Sequence, residues 1–352
     1  MLLQEHKQLF EQNTQIKAIF RNGQRVWPAT TGSTPPGPDY SEPFYVENIN
    51  NENETLSIVK NSPNAPTLII EYSTDRTTWK ILGTTSDTAL TRTLTSGEKV
   101  YLRCNTNVWS LNNTYNNITG ISKVGGNVMS LLYGSSFTGQ ETSFPSTNNH
   151  AFYGLFDPGS VNTSILQNAS DLLLPATTLT PLCYSTMFQR CTSLTTAPAL
   201  PATTLAQACY SNMFNRCNLL TTAPALPATT LASNCYSNMF SGCTSLTTAP
   251  ALPATTLENS CYSQMFTGCT SLTTAPVLSA TTLIQRCYDR MFRNCTLLSN
   301  ITCLATSYIN TNYSTNNWLQ NISSSGIFTK AAGVEWPTGA SGIPSSWTVI
   351  EV

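Results

Sequence analysis

Five segments between Pro175 and Cys295 share the pattern L-x-x-x-C-Y-x-x-M-F-x-x-C-x-x-L. The first cysteine of each falls at Cys183, Cys209, Cys235, Cys261 and Cys287, a constant step of 26 residues. The second follows at Cys191, Cys217, Cys243, Cys269 and Cys295. A fixed period of this size is the signature of stacked repeats. One such unit is too short to bury its own apolar face, so neighbours must lie over one another to close a common interior.

Within a unit, Leu179, Cys183, Met187 and Cys191 recur every four residues, and Tyr184 and Phe188 form a second such pair. This spacing predicts a short helix with one apolar face. Thr178 suits its N-cap. Arg190, Arg216, Gly242, Gly268 and Asn294 stand where the five helices would end. Gly and Asn fit a left-handed cap there, whereas the two arginines point to a different termination. The expected solenoid core is Cys183, Cys209, Cys235, Cys261 and Cys287 together with Met187, Met213, Met239, Met265 and Met291. The other half of the unit, SLTTAPALP, reads as extended, with Leu194, Ala197 and Ala199 pointing inward. Pro198, Pro224, Pro250 and Pro276 remove one N–H donor at the same place in each unit, so the sheet should be interrupted there. Thr196, Thr222, Thr248 and Thr274 form a laterally repeated column and are the candidate ligand-facing residues.

Only 10% of the residues are charged and the net charge is −1, against about 25% charged in an average domain. That balance argues against nucleic acid as partner, since phosphate binding needs a basic surface. It suits neutral ligands or packing between like subunits. The start, MLLQEHKQLF, lacks the basic-then-apolar pattern of a secretory signal, and no run approaches the about 20 apolar residues of a membrane span. The expectation is therefore synthesis and folding in a cytoplasm, with reduced cysteines and no membrane insertion. Ten of the twelve cysteines sit at repeat positions and read as small buried hydrophobes. A ladder of disulfides is the alternative.

The fold class expected is mainly β with short helices: an N-terminal hairpin module, a small β-sandwich, then a leucine-rich-repeat-like solenoid of 26-residue coils with a C-terminal cap. Residues 1–28 are the N-terminal module, with a short amphipathic helix over Met1–Asn13 and a hairpin turning at Asn22-Gly23. Residues 29–43 are a linker rich in Pro, Gly, Ser and Thr. Residues 44–126 hold short β-branched and aromatic runs between turn residues, a sandwich pattern, with a hairpin at Glu71–Leu82 and a buried Trp79. Residues 127–310 are the solenoid, whose degenerate N-terminal cap includes AFYGLF and DLLLP, echoes of CYSTMF and PALP. Residues 311–352 are the C-terminal cap, with Trp318, Phe328, Trp336 and Trp347 over the last open edge.

No catalytic constellation is expected. His6 and His150 read as surface or capping residues, and no Ser/His/Asp order stands in a supporting motif. The C-x7-C pairs lack metal-ligand spacing, so neither metal nor cofactor is expected. Tyr184, Tyr210, Tyr236, Tyr262 and Tyr288 form a ladder with two readings, core packing or a stacking surface for sugars. Arg190, Arg216, Arg286, Arg290 and Arg293 read as solvated surface or as a weak basic edge. The N-terminal module is too small for a core of its own, so Ile16, Ile19, Phe20, Val26 and Trp27 are expected to contact an anchoring partner or sister chains.

The stretch MFSGCTSLTTAPALP (Met239–Pro253) resembles the BspA-type leucine-rich repeats of bacterial surface proteins, over residues 145–310. Alanine and proline replace the usual leucines in its strand half. IKAIFRNGQRVWP, KVGGNVMSLLYG and WPTGASGIPSSWTV resemble segments of virion proteins of phages that infect gut Bacteroidales, including crAss-like phages. These resemblances imply a non-enzymatic fibre or decoration protein of a phage head or tail on the virion surface, assembled in the bacterial host cytoplasm. They imply anchoring to a capsid or tail protein through the N-terminus, a homotrimer, and adhesion to a host surface glycan or protein. The alternatives are a bacterial BspA-like interaction or adhesin module and a depolymerase. The latter would need a carboxylate pair that the acid-poor repeats do not supply.

Overall fold

The computed structural model describes residues 39–86, 88–104, 109–111, 114–144, 149–159 and 164–352, and the backbone of 19–21 and 24–27. The chain divides into two units, Met1–Asp39 and Tyr40–Val352. In the first, β1 (Ile19–Arg21) pairs antiparallel with β2 (Gln24–Trp27), with Arg21 opposite Gln24. The expected Met1–Asn13 helix, Ile16, the Asn22-Gly23 turn, most of the linker and the side chains of Ile19, Phe20, Val26 and Trp27 lie outside the described residues.

Among its described residues the second unit is mainly β, with one short α-helix. Its first part carries β3 (Tyr45–Glu47), β4 (Glu54–Lys60), β5 (Ile69–Ser73), β6 (Lys80–Thr84), β7 (Leu90–Leu94), β8 (Lys99–Cys104), β9 (Ser110–Leu111), β10 (Thr114–Thr119) and β11 (Lys123–Asn127). Helix α1 (Ser130–Tyr133) and a 3-10 turn (Gly134–Ser136) follow, then β12 (Asn168–Leu173). The strands form two sheets, of order β7-β4-β10-β9 and β12-β11-β3-β8-β5-β6. Alternation places Leu56 and Ile58 of one sheet and Val46, Val100 and Leu102 of the other in one hydrophobic core. The buried tryptophan here is Trp109, whose indole N–H donates to the Asn116 carbonyl at 2.6 Å. Trp79, expected inside, is only half-buried. It ends the β5–β6 turn, with the Arg103 guanidinium 4.2 Å from its ring centroid. The six-stranded sheet also runs across the boundary expected at residue 126, because β12 pairs parallel with β11.

Residues Pro181–Cys191 form no helix. Leu182, Thr186 and Arg190 have φ of 59°, 56° and 63°, and the equivalent residues of the next four repeats are also left-handed. A left-handed residue every fourth position makes a run of tight turns. The N–H groups of Ser185, Met187, Gln189 and Cys191 each bond three residues back. Those of Leu182, Tyr184, Thr186, Phe188 and Arg190 leave the repeat and donate to Gln207, Cys209, Ser211, Met213 and Asn215 of the next. The helix expectation failed because a four-residue apolar spacing fits this ribbon as well as a helix. Asn212, Asn234, Asn238, Gly242, Gly268 and Asn294 tolerate the left-handed region. Arg190 and Arg216 adopt the same conformation as Gly242 and Gly268, so the first two units do not end differently. Half of the ribbon's N–H groups have their partner in the neighbouring repeat, so a single repeat would leave them unsatisfied.

The interior is built from columns of identical side chains. The repeat cysteines and methionines are fully buried. Neighbouring rings from Tyr184 to Tyr288 stack at 5.8 to 6.2 Å between centroids. Those from Phe188 to Phe292 stack at 5.4 to 5.7 Å. Phe152 and Phe156 of AFYGLF begin both columns. The repeat cysteines are free thiols. Asp157 joins the first repeat to the four-stranded sheet: it accepts from the Tyr115 hydroxyl at 3.1 Å and from both Nε and NH2 of Arg190 at 3.0 and 2.8 Å.

One further turn segment than expected follows the fifth repeat. Tyr313, Asn317 and Asn321 are left-handed, and Tyr288, Phe292 and Asn294 donate to Ser314, Trp318 and Gln320. Trp318 stands in the methionine position and stacks on Tyr288 at 6.1 Å, closing the column. Phe328 and Trp347 are buried behind it and Trp336 is partly buried. Between the repeats the extended halves meet only at isolated parallel bridges. Where the prolines stop, a continuous parallel sheet appears: β13 (Asn300–Cys303), β14 (Ile327–Lys330) and β15 (Thr348–Glu351). Among the described residues no helix is long and apolar enough to cross a membrane.

Candidate functional site

The extended half of each repeat, LTTAPALPATTL in the first three, presents the most regular surface of the chain. In Leu194–Leu205, Leu194, Leu200, Ala202 and Leu205 are buried, while Thr195, Thr196, Ala199, Pro201, Thr203 and Thr204 are exposed. Ala199, expected inward, faces out, and Leu200 takes the interior position. The Ala197-Pro198 kink shifts the alternation by one residue. Thr196, Thr222, Thr248 and Thr274 are all exposed, with Thr222 bridging Thr248 and the end members bridging Asn168 and Asn300. Sequence reasoning missed a second exposed column, Thr204, Thr230, Thr256 and Thr282, with its own bridges at Thr204–Thr230 and Thr282–Ser307. The repeated PATTL was the available signal. Two hydroxyl columns thus flank a strip of Ala and Pro, and no charged residue occurs in Leu194–Leu205, Leu220–Leu231, Leu246–Leu257 or Leu272–Leu283.

The tyrosine ladder offers no such surface, because Tyr184, Tyr210, Tyr236, Tyr262 and Tyr288 are buried. Three of the five arginines read as a basic edge have partners within the chain. Arg190 is held by Asp157, Arg290 lies 4.0 Å from Asp289, and Arg286 lies 5.4 Å from the Tyr313 ring centroid. Burial pushes the thiols of Cys183 and Cys191 up to about 12, which leaves them un-ionised and unreactive near neutrality. No group of three His, Cys, Asp or Glu among the described residues could hold a metal ion.

A second surface escaped sequence reasoning altogether. The outward residues of β8, Lys99, Tyr101 and Arg103, join residues from distant strands in a continuous row. Lys123 pairs with Glu47 at 3.0 Å and Asp171 at 2.9 Å. The Tyr45 hydroxyl donates to Asp171 at 3.2 Å. The Lys99 ammonium lies 3.7 Å from the Tyr45 ring centroid and 3.4 Å from Glu42, and the Tyr101 hydroxyl donates to Glu42 at 3.1 Å. Burial, and then the carboxylate charges, raise the Tyr45 and Tyr101 phenols above their ordinary value. Gly125 makes the row possible: a Cβ there would fall 2.3 Å from the Tyr45 ring. Partners such as Tyr45 and Asp171 are 126 residues apart in the chain, so no local motif announces them.

No family profile, curated protein or solved structure matches the chain.

Proposed function

We propose that this chain is a structural adhesion protein, in which a leucine-rich-repeat-like solenoid of 26-residue coils projects a neutral, hydroxyl-bearing face toward a host surface. The observation that carries this reading is the pair of exposed threonine columns flanking Ala and Pro, repeated in four extended segments between Leu194 and Leu283, none of which contains a charged residue. Such a face repeats the same donors and acceptors at each coil. It complements a neutral partner with its own repeat, such as a surface glycan, and it has no means of gripping phosphate. The coil-to-coil hydrogen bonds make the support rigid, so the hydroxyls are held in place before contact, which lowers the entropic cost of binding.

The placement is the surface of a phage virion, on the resemblances of IKAIFRNGQRVWP, KVGGNVMSLLYG and WPTGASGIPSSWTV. The N-terminal module docks on a capsid or tail protein, the β-sandwich spaces the solenoid from it, and the protein is a homotrimer. The test has two arms. Electron microscopy of virions labelled with an antibody to the repeats should show label at the particle surface. A neutral-glycan array probed with the full chain should give signal that is lost when Thr222 and Thr248 are replaced by Asp. Unlabelled particles overturn the placement, and a flat array, or signal indifferent to the substitutions, overturns the adhesion face.

A further inference from the structure

The row of charges and rings on the six-stranded sheet ends in a cavity of about 350 Å³ between the β5–β6 turn, β8 and the segment after α1. This is near the small end of the about 300–1,000 Å³ typical of ligand pockets, the size of a single ring rather than a chain. Arg76, Trp79, Arg103, Ser135 and Phe137 line it.

The two guanidinium groups differ in how they are held. Arg103 is fixed from two sides: its Nε donates to Glu71 at 2.6 Å, and its guanidinium carbon lies 4.2 Å from the Trp79 ring centroid. That leaves its terminal nitrogens as the groups able to face the cavity. Arg76 has no carboxylate partner among the described residues, although Lys99, Arg103 and Lys123 on the same face all have one. Its backbone is left-handed, with φ of 67°. The turn that holds it there is itself pinned. Asp75 accepts from the Thr77 and Thr78 N–H groups at 2.8 and 2.7 Å, and the Trp79 indole donates to the Arg76 carbonyl at 3.2 Å. A residue kept in a strained conformation by so many local bonds is a recurrent mark of a binding position.

Two cations and no carboxylate line the cavity; of the acids beside it, Glu71 pairs with Arg103, Glu42 with Lys99, and Asp75 accepts from the Thr77 and Thr78 N–H groups. The site therefore lacks one negative charge, and it offers planar guanidinium donors, which match a carboxylate in geometry. Beside them stand two aromatic side chains, Trp79 and Phe137, and the Ser135 hydroxyl. We infer that this cavity binds one carboxylated sugar ring, a hexuronic or sialic acid unit, with its carboxylate between Arg76 and Arg103 and its ring against Trp79 and Phe137. The inference rests on the two-sheet region alone and is independent of the reading of the threonine face.

The test is saturation-transfer NMR on the full chain with methyl glucuronide, N-acetylneuraminate, methyl glucoside and sodium sulfate, the last titrated as a competitor. A carboxylated sugar should bind in the millimolar range and the neutral glucoside should not. Arg76→Gln should weaken binding about tenfold or more, as loss of a charged hydrogen bond does, while the melting temperature moves little, because the side chain's one recorded structural contact is its guanidinium 5.6 Å from the Tyr101 ring centroid, a weak interaction at an exposed site. Trp79→Phe keeps a ring in place but loses the indole bond to the Arg76 carbonyl, so it should weaken binding less than Arg76→Gln. Equal binding of the glucoside, competition by sulfate as strong as by the sugars, no transfer to either carboxylated sugar, or full binding by Arg76→Gln would each overturn the proposal.

Discussion

The thiol of Cys217 donates to the carbonyl oxygen of Phe188, 3.1 Å away and one repeat earlier. The same bond recurs from Cys243 to Phe214, Cys269 to Phe240 and Cys295 to Phe266, at 3.0 to 3.2 Å. The second cysteine of each repeat is therefore a fastener between coils as well as a filler. Cys217→Ala removes one buried heavy atom and this weak bond, and should cost about 1–2 kcal/mol. Chemical denaturation read by circular dichroism checks it. A change within error would show that the thiol contributes nothing beyond occupying space.

The buried thiols make the fold sensitive to alkali. Cys183, Cys191, Cys235, Cys243, Cys287, Cys295 and Cys303 are pushed by burial up to about 12, against about 8.5 in an unfolded chain. Below the unfolded value both states are neutral and the contribution to stability is fully present. As pH rises toward 12 only the unfolded chain ionises, so stability falls by about 1.4 kcal/mol per thiol per pH unit. Seven thiols acting together can cancel a folding free energy of about 5–15 kcal/mol within one to two units. The chain should unfold cooperatively between about pH 9 and 11, with a flat stability profile from pH 6 to 8. A native far-ultraviolet spectrum persisting at pH 11 would refute this.

Thr186 carries a strain that its asparagine counterparts in the next two repeats relieve. It is a β-branched residue at φ 56°, and its buried hydroxyl has no hydrogen-bond partner. Asn212 and Asn238 hold the same place in the next two repeats. Thr186→Asn should raise stability by about 1 kcal/mol, since Asn visits the left-handed region more readily. A lowered melting temperature would show that the threonine methyl group, not the backbone, governs this position.

Trp318 closes the ring columns. It is fully buried, stacks on Tyr288 and on Trp336 at 6.1 and 5.5 Å, and donates its indole N–H to the Gly342 carbonyl at 3.0 Å. Trp318→Ala should cost about 3–5 kcal/mol and expose the end of the stack, with aggregation seen in light scattering. Trp318→Phe keeps much of the ring contact and loses the hydrogen bond, so it should cost less. Equal losses for the two would place the value of the residue in the hydrogen bond rather than in the cover.

The places where sequence and structure part share one cause. The 26-residue period, the burial of Cys183 and Met187 and the exposure of Thr196 follow from side-chain chemistry repeated at a fixed step, which is written in the chain. Periodicity also identified AFYGLF as a repeat. It could not separate helix from turn ribbon, because both put Cys183, Met187 and Cys191 on one side. The row through Tyr45, Lys99, Lys123 and Asp171 was invisible, since each of its members looks like an ordinary strand residue until the sheet brings them together.

By itself the sequence determined that like residues would meet like. A constant step of 26 residues and a near absence of charge in the repeats leave few other ways to bury five sets of Cys, Tyr, Met and Phe. Only the tertiary structure decided where the backbone hydrogen bonds go. Alternate N–H groups of each repeat find their carbonyls in the next one, and a partner in another coil is a property of the stack, not of any single 26-residue stretch.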